Sequence, residues 1–264
     1  MHGMNRRAYA PANSSWHLIS LRPSGQHDGL RRAAARLGGR TVAVSPWRLQ
    51  PRDDPQTRQL LLQAQRYERV VFTSPAAAAA AAALMPLQQL RAGSVVAVGQ
   101  GTARALYRHG AKAVHAPTRM DSEGLLALPS MAGLHGKQVA LVTAPGGRGM
   151  IAAQLQAQGA QLQRIDVYER QPLAIPAATL ARLQALAKPI ALAVSSGEAL
   201  QRVVAQLPAA LLQRWQQEMA VVVASARLAE LATSLGFTRV HLAAGPLPAQ
   251  LAAAAHAALF ATAG

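Results

Sequence analysis

The segment from Lys137 to Arg170 contains one complete strand–turn–helix–strand unit. An apolar run at Val139–Val142 reaches a turn, and a helical pattern then continues to Gly159. A second extended run, Leu162–Tyr168, follows at once. A parallel pair of strands joined by a crossover helix buries both runs and the apolar face of the helix. The segment therefore predicts an α/β fold.

Further stretches of the chain repeat this pattern of strand, small-residue turn and helix. Unit U, from Pro23 to Gly38, has nearly the spacing of its copy U′, from Pro145 to Gly159. The turns of units V and W recur later in V′ and W′: Phe72-Thr73-Ser74-Pro75 and Val98-Gly99-Gln100-Gly101 match Val194-Ser195-Ser196-Gly197 and Ala224-Ser225-Ala226-Arg227. The order U, V, W, U′, V′, W′ predicts two copies of one α/β module.

Two divisions of this order into domains are possible: continuous halves, or V-W-U′ inserted into U-V′-W′. Pro-rich crossings near residues 46–57 and 171–176 favour the insertion. We therefore predict two similar open parallel-sheet domains, each a three-layer α/β/α arrangement. The predicted boundaries are 14–46 plus 176–264 for the discontinuous domain, 57–168 for the inserted domain, 47–56 and 169–175 for linkers, and 1–13 for a disordered arm.

The composition limits the classes of partner. The chain has 27 Lys and Arg against 11 Asp and Glu, a formal net charge of +16. This excess suits an anionic partner, and a solvated Arg-rich surface explains it equally well. Aromatic residues form only 4% of the chain, which argues against a stacking surface for single-stranded nucleic acid. Without cysteine there are no disulfides and no thiolate metal sites, which fits a reducing compartment.

The sequence also lacks the usual targeting and catalytic motifs. Its first residues carry two arginines without the apolar segment of a signal peptide, and no strongly apolar run of ~18 residues follows. We expect a cytoplasmic protein that contacts no membrane. Gly99-Gln100-Gly101 lacks the third glycine of a dinucleotide loop, and Gly146-Gly147-Arg148-Gly149 lacks the Gly-Lys-Ser/Thr ending of a P-loop. The histidines are scattered, which argues against a metal.

What remains is a set of hydroxyl side chains at predicted helix starts, with arginines beside them. Each Ser or Thr alone is explained by an N-cap. Together, the similar turns of all six units, at the carboxyl ends of parallel strands, would offer hydroxyls, backbone N–H groups and helix N-termini to several carboxylates at once. The hydroxyl residues are Thr73, Ser74, Thr102, Ser195, Ser196 and Ser225, and the arginines are Arg22, Arg148 and Arg227. Tyr168 ends its strand, either as an amphipathic residue half-covering a strand edge or as a phenol donor to the site.

These turns, in this order, resemble those of the uroporphyrinogen-III synthase family. The matching features are Arg22-Pro23, Phe72-Thr73-Ser74-Pro75, Val96-Ala97-Val98-Gly99 with Thr102-Ala103, Gly147-Arg148, Val167-Tyr168-Glu169-Arg170, Ser195-Ser196, and Ser225-Ala226-Arg227 with Gly236. They cover about residues 16 to 255. The chain departs from the family at Ala144-Pro145, where Arg-Gly is usual, and at Ser195, where threonine is frequent.

The resemblance implies two α/β domains joined by a two-stranded linker, with the site in the cleft between them and with no cofactor or metal. It implies that hydroxymethylbilane, a linear tetrapyrrole with eight carboxylates, is cyclised to uroporphyrinogen III with inversion of the last ring. Tyr168 would assist departure of the hydroxyl. The implied substrate-binding residues are Arg22, Thr73, Ser74, Gly99, Thr102, Arg148, Ser195, Ser196, Ser225 and Arg227.

Two other classes of function compete with this one. A non-catalytic two-domain binding or regulatory module for an anionic ligand would have nearly the same sequence. A nucleic-acid binder is suggested by the charge, but it predicts clustered cations and interleaved aromatics that the sequence lacks. We expect a monomer that binds a small molecule and no nucleic acid.

Overall fold

The computed structural model describes residues 15–118, 122–146 and 149–260. The predicted arm at 1–13 and the predicted site residue Arg148 lie outside these residues. The chain divides into two compact units. The discontinuous unit contains residues up to 48 and from 172 onwards, and the continuous unit contains residues 49–171.

The bounds of the elements follow the turns and caps of the sequence. The strands are β1 (Trp16–Ser20), β2 (Gly39–Ala43), β3 (Trp47–Pro51), β4 (Arg69–Phe72), β5 (Val95–Ala97), β6 (Gln138–Thr143), β7 (Gln161–Asp166), β8 (Tyr168–Pro172), β9 (Ile190–Val194), β10 (Ala220–Val223) and β11 (Val240–Leu242). The helices are α1 (Asp28–Ala35), α2 (Pro55–Ala64), α3 (Pro75–Leu84), α4 (Gln100–Arg108), α5 (Ser122–Leu126), α6 (Met150–Ala157), α7 (Ala177–Ala185), α8 (Gly197–Val204), α9 (Ala209–Glu218), α10 (Ala226–Ser234) and α11 (Pro248–Phe260).

Each unit is built on one parallel sheet. The discontinuous unit has the strand order β2-β1-β9-β10-β11, and every neighbouring pair is parallel. The continuous unit has the order β7-β6-β4-β5, again parallel throughout. An isolated parallel bridge from Val96 to His115 follows β5 in the place where the first sheet has β11. The two units therefore share one spatial order of their U, V and W strands, and the predicted fold class is confirmed.

The sequence also predicts a strand at Lys112–His115, after the helix that Gly110 ends, and the structure reduces this strand to that single bridge. Ala113 has φ of 52°, in the left-handed region that an extended strand cannot contain. The run Leu162–Tyr168 is likewise not one strand, because β7 ends at Asp166 and Tyr168 begins β8. The sequence predicted Tyr168 as the last residue of its strand. The structure shows instead that it is the first residue of β8.

The two chain crossings between the units are extended. Their strands β3 and β8 pair with each other in a separate two-stranded sheet. The Pro-rich stretch predicted as a linker up to residue 56 is also partly helical, since α2 begins at Pro55. Asp54 caps this helix: one carboxylate oxygen accepts from the Thr57 N–H at 2.8 Å and the other from the Thr57 hydroxyl at 2.8 Å.

Both faces of the sheet in the continuous unit are buried. Val70 and Phe72 of β4 belong to one apolar cluster, whereas Val71 between them belongs to another. The first cluster includes α3 and α4, and the second includes α5 and α6. Helices therefore cover both faces, as a parallel sheet requires. Of the helices in the described part of the chain, none combines the length and the apolar character that a transmembrane span requires.

Trp16 at the start of β1 lies against the backbone of Gly39 at the start of β2. The indole N–H donates to the Leu37 carbonyl at 2.9 Å, which holds the ring over the turn between α1 and β2. A Cβ built on Gly39 would lie 2.4 Å from Trp16 Cε2. Glycine at this position therefore lets a buried tryptophan of the discontinuous unit pack on its sheet.

We expect Gly39→Ala to lower the free energy of unfolding by about 1–3 kcal/mol, because the added methyl group must displace the indole. Thermal or urea unfolding followed by circular dichroism measures this change. Gly101→Ala is the matched control, since its Cβ would meet only Pro75 Cγ at 3.9 Å. A Gly39→Ala protein as stable as the control would contradict this packing.

Candidate functional site

Polar residues gather where three strands of the discontinuous unit end. Strands β1, β9 and β10 are parallel neighbours, so the turns that follow them lie along one edge of the sheet. Arg22 follows β1, the serines 195 and 196 follow β9, and Ser225 with Arg227 follows β10. The structure thus brings five of the predicted site residues to one edge. We call it the discontinuous-unit edge.

The serines at this edge differ in their hydrogen bonds. Ser196 is the N-cap of α8, and its hydroxyl accepts from the Ala199 N–H at 3.4 Å. Ser225 occupies the N-cap position of α10, but its side chain makes no capping bond. Ser195 and Ser225 are both exposed. The N-cap explanation therefore accounts for Ser196 and does not account for Ser225.

Arg22 is a half-buried cation. One of its terminal nitrogens donates to the Pro246 carbonyl at 3.4 Å, and burial lowers the pKa of the guanidinium. Within the described residues Arg22 forms no ion pair. A partly desolvated cation with a single long bond to a neutral carbonyl favours an incoming anion. Arg227, in the first turn of α10 after β10, is exposed.

A buried histidine at the same edge was not singled out from the sequence. His27 is 5% exposed, and its Nδ1 lies 2.9 Å from the Ser20 hydroxyl and its Nε2 lies 2.9 Å from the Ser45 hydroxyl. Burial, followed by the charges of Arg31 and Arg22, lowers the pKa of His27 against the opposing effect of Asp28. No motif or spacing marks this group, because its members meet only when β1, β2 and α1 assemble.

The corresponding edge of the continuous unit carries threonine hydroxyls. Thr73, directly after β4, donates to the Thr143 hydroxyl at 2.9 Å, at the end of the neighbouring strand β6. Ser74 caps α3 by accepting from the Ala77 N–H at 3.0 Å. Gly99 is the buried N-cap of α4. Thr143 is a polar residue of this edge that the sequence reading missed.

Two predicted residues of the continuous unit are more enclosed than expected. Thr102 in the first turn of α4 is 3% exposed. Tyr168 is 7% exposed and belongs to the same apolar cluster as Phe72 and Val142. Its ring therefore lies in the core, which excludes the first of the two interpretations of Tyr168, an amphipathic residue that half-covers a strand edge. The Tyr168 hydroxyl has no hydrogen-bond partner within the described residues.

The turn after β6 departs from the family pattern at Ala144-Pro145, and an arginine from the next strand reaches it. A terminal nitrogen of Arg164 donates to the Ala144 carbonyl at 2.8 Å, while Nε pairs with Asp166 at 2.9 Å. Arg164 is therefore a cation at this turn that is supplied by β7.

Within the described residues no cluster of three or more His, Asp or Glu could hold a metal ion.

Comparison with known proteins identifies the family. Residues 28–253 match the family model described as uroporphyrinogen-III synthase HemD. The chain belongs to the uroporphyrinogen-III synthase family. The matched range contains every predicted site residue except Arg22, which precedes it.

The curated relatives and solved structures of the same family agree with this result. The uroporphyrinogen-III synthases of Escherichia coli K12 and Salmonella typhimurium LT2 are each 32% identical to the chain over 148 residues, which is 56% of this chain and 60% of the relative. A mutant uroporphyrinogen III synthase from the extremely thermophilic bacterium Thermus thermophilus aligns over 90% of this chain and 96% of its own, with a TM-score of 0.55 and 16% identity. The Helicobacter pylori 26695 uroporphyrinogen-III synthetase aligns over 88% and 93%, with a TM-score of 0.55 and 15% identity. At these identities the structures show the fold.

The contrast between the two serines gives a direct test. Ser196→Ala is expected to lower the free energy of unfolding by ~1 kcal/mol, because it removes an N-cap, whereas Ser225→Ala should leave stability nearly unchanged. Urea unfolding of both variants and of wild type measures the difference. Equal losses in the two variants would mean that Ser225 also caps its helix.

The lowered pKa of His27 predicts a pH effect on stability. The folded protein keeps His27 neutral at pH values at which the unfolded chain already protonates it, so the stability contributed by neutral His27 is complete above a pH of about 6.5 and falls as the pH decreases towards the folded-state pKa. Between about pH 7.5 and 5.5, wild type should lose more unfolding free energy than His27→Gln, with an excess slope of at most about 1.4 kcal/mol per pH unit. Parallel losses in urea titrations would contradict the shift.

Proposed function

We propose that this chain is a uroporphyrinogen-III synthase, which cyclises hydroxymethylbilane to uroporphyrinogen III with inversion of the last pyrrole ring. The observation that carries the proposal is the family match over residues 28–253, which includes segments of both units. The chemistry of the two sheet edges supports it. They present hydroxyls, helix N-termini and arginines, which are the donors that suit carboxylates.

The substrate's eight carboxylates would be bound by neutral donors and by arginines. Arg22 suits this role because it is partly desolvated and forms no ion pair within the described residues. The Ser225 hydroxyl is free of a capping bond, so it can donate to a carboxylate without uncapping α10. Helix N-termini such as that of α8 add positive partial charge. Arg227 and Arg148 are proposed as further carboxylate ligands, with Thr73, Ser74, Gly99, Thr102, Ser195 and Ser196.

The reaction asks for little acid–base chemistry from the protein. The lone pair of the pyrrole nitrogen expels the terminal hydroxyl, which leaves as water after it gains a proton. The resulting cation is attacked by the substituted carbon of the last ring, which gives a spiro intermediate. The bond from that carbon to its original methylene bridge then breaks, the free carbon of the same ring bonds to the released methylene, and the proton lost there balances the proton gained by the leaving hydroxyl. One water is released for each molecule cyclised. The protein's main contribution is therefore to hold both ends of a flexible chain in reacting geometry.

We assign Tyr168 the role of hydrogen-bond donor to the leaving hydroxyl. The support is its place at the start of β8 and a hydroxyl that no described residue engages. The packing of its ring in the apolar cluster would hold that hydroxyl in one position, which is what a directed donor needs. The cytoplasmic location and the monomeric state expected from the sequence remain predictions.

The proposal is tested by incubating the full chain with freshly generated hydroxymethylbilane and separating the isomers of uroporphyrinogen. A synthase gives isomer III, whereas a binding or regulatory module leaves the spontaneous product, isomer I. Isomer I alone at every protein concentration would refute the proposed function.

In the same assay we expect Tyr168→Phe to lower turnover at least about tenfold with the fold intact, because the donor to the leaving oxygen is lost. Tyr67→Phe is the matched control. Tyr67 packs against the same apolar cluster, but it precedes β4 and so lies at the end of that strand opposite to Thr73. The rate of this control should stay at the wild-type value. An unchanged rate in Tyr168→Phe would remove Tyr168 from the mechanism.

A further inference from the structure

His27 is a buried titratable side chain for which the proposed reaction has no use. It is 5% exposed, it stands one residue before α1, and both of its ring nitrogens are engaged. Its partners are also enclosed: Ser20 is fully buried, and the contact with Ser45 is partly buried. Burying a polar side chain costs free energy unless each of its polar atoms is hydrogen-bonded, so the two hydrogen bonds of His27 are what make its burial possible.

The two serines come from the ends of two different strands. Ser20 is the last residue of β1, and Ser45 lies just beyond the end of β2. The imidazole therefore ties together the ends of two neighbouring strands and the start of the helix that connects them. Two backbone hydrogen bonds support the same junction: the Val44 N–H donates to the Ser20 carbonyl at 3.0 Å, and the Ser24 N–H donates to the Trp47 carbonyl at 3.0 Å.

A neutral imidazole matches these partners fully. One ring nitrogen carries a proton and donates, the other accepts, and a hydroxyl can serve either of them. Charging the ring would place a third cation near Arg22 and Arg31, with Asp28 as the compensating carboxylate. The arrangement is therefore a neutral bridge between hydroxyls. It differs from a catalytic base, which would keep one nitrogen free towards the substrate.

Arg22 lies in the turn that this bridge closes. The turn runs from Leu21 to Gln26, between Ser20 and His27. The contact of Arg22 with the Pro246 carbonyl is 3.4 Å long, at the weak end of hydrogen bonding. The position of its guanidinium therefore depends mainly on how firmly the turn is held, and the His27 bridge holds the C-terminal end of that turn.

We propose that His27 is a positioning residue: by bridging Ser20 and Ser45 it fixes the turn between β1 and α1 so that Arg22 is held ready for a carboxylate of the substrate. His27 itself touches no substrate. The inference rests on the proposed function, since it concerns how one substrate-binding arginine of that function is oriented. It predicts that loss of the bridge weakens substrate binding and leaves the chemical step unchanged.

The test is a double-mutant cycle in the isomer-resolved assay with the full chain. His27→Ala should raise KM at least about fivefold with kcat within about twofold of wild type. Arg22→Ala should raise KM by about tenfold or more, and the double variant should match Arg22→Ala within about twofold. This non-additivity is the signature of one residue acting through the other, and a general loss of stability would not produce it.

Conservative variants separate the two halves of the bridge. The amide of His27→Asn can occupy the place of Nδ1 beside Ser20, and the longer amide of His27→Gln can reach the place of Nε2 beside Ser45. Each should recover part of the loss in KM seen with alanine. His17→Ala is the matched control, because His17 lies on β1 with Ser20 but near the opposite end of that strand, where it bonds the backbone carbonyl of Ala187 at 3.2 Å. Its KM should equal that of wild type.

The outcomes separate this inference from the function on which it rests. Wild type that forms isomer III, together with His27 variants of unchanged KM, overturns the inference alone. So does a KM effect that is additive with Arg22→Ala, or a loss confined to kcat. If His27→Ala fails to fold, the asparagine and glutamine variants decide by the same KM and kcat criteria. Wild type that gives only isomer I overturns the proposed function and the inference together.

Discussion

The parallel pairing of β1 with β9 is the constraint on which the discontinuous unit depends. It joins His17 to Ile190 and Ser20 to Ala193, across the whole of the intervening continuous unit. Because β1 also pairs with β2, it occupies an interior position in the sheet, and its side chains Leu18 and Ile19 are fully buried on opposite faces. Without this ladder, β1 and β2 would not be joined to the strands β9, β10 and β11. The same ladder brings the turn that carries Arg22 beside the turn that carries the serines 195 and 196.

The identical spatial order of the two sheets explains why the repeats in the sequence were informative. The discontinuous unit reads β2-β1-β9-β10, with U ahead of V′ and W′ in the chain. The continuous unit reads β7-β6-β4-β5, with U′ after V and W. One arrangement is a circular permutation of the other. The turns at strand ends were therefore recognisable as pairs, since each pair occupies an equivalent place at the edge of its sheet.

The sequence predicted most of the strands and helices, but not the contacts that form where they pack together. Apolar runs predict strands at Arg69–Phe72, Ile190–Val194 and Ala220–Val223, where β4, β9 and β10 are found. Helix starts leave equally local signals, such as the Ser74-Pro75 cap. Sequence reasoning missed the split between β7 and β8, which a continuous run of strand-forming residues conceals. It also missed the His27 bridge and the Thr73–Thr143 pair, whose members are far apart in the chain and meet only through sheet register. The depth of Tyr168 was misjudged for the same reason: its cluster is assembled from several strands and helices.

The fold also accounts for part of the basic excess, which the sequence left between a solvated surface and an anionic partner. Arginines from elsewhere in the fold satisfy carbonyls in the last turns of three helices: Arg58 on Leu84 of α3, Arg214 on Leu183 and Gln184 of α7, and Arg239 on Glu218 of α9. A cation there satisfies carbonyls that lack helical partners and opposes the negative end of the helix dipole. Arg22 differs from these three because it is beside the start of a helix, close to Arg31 and a buried imidazole. Its charge is not stabilised by the C-terminal end of a helix, and within the described residues it forms no ion pair, which agrees with the role proposed for it as a carboxylate ligand.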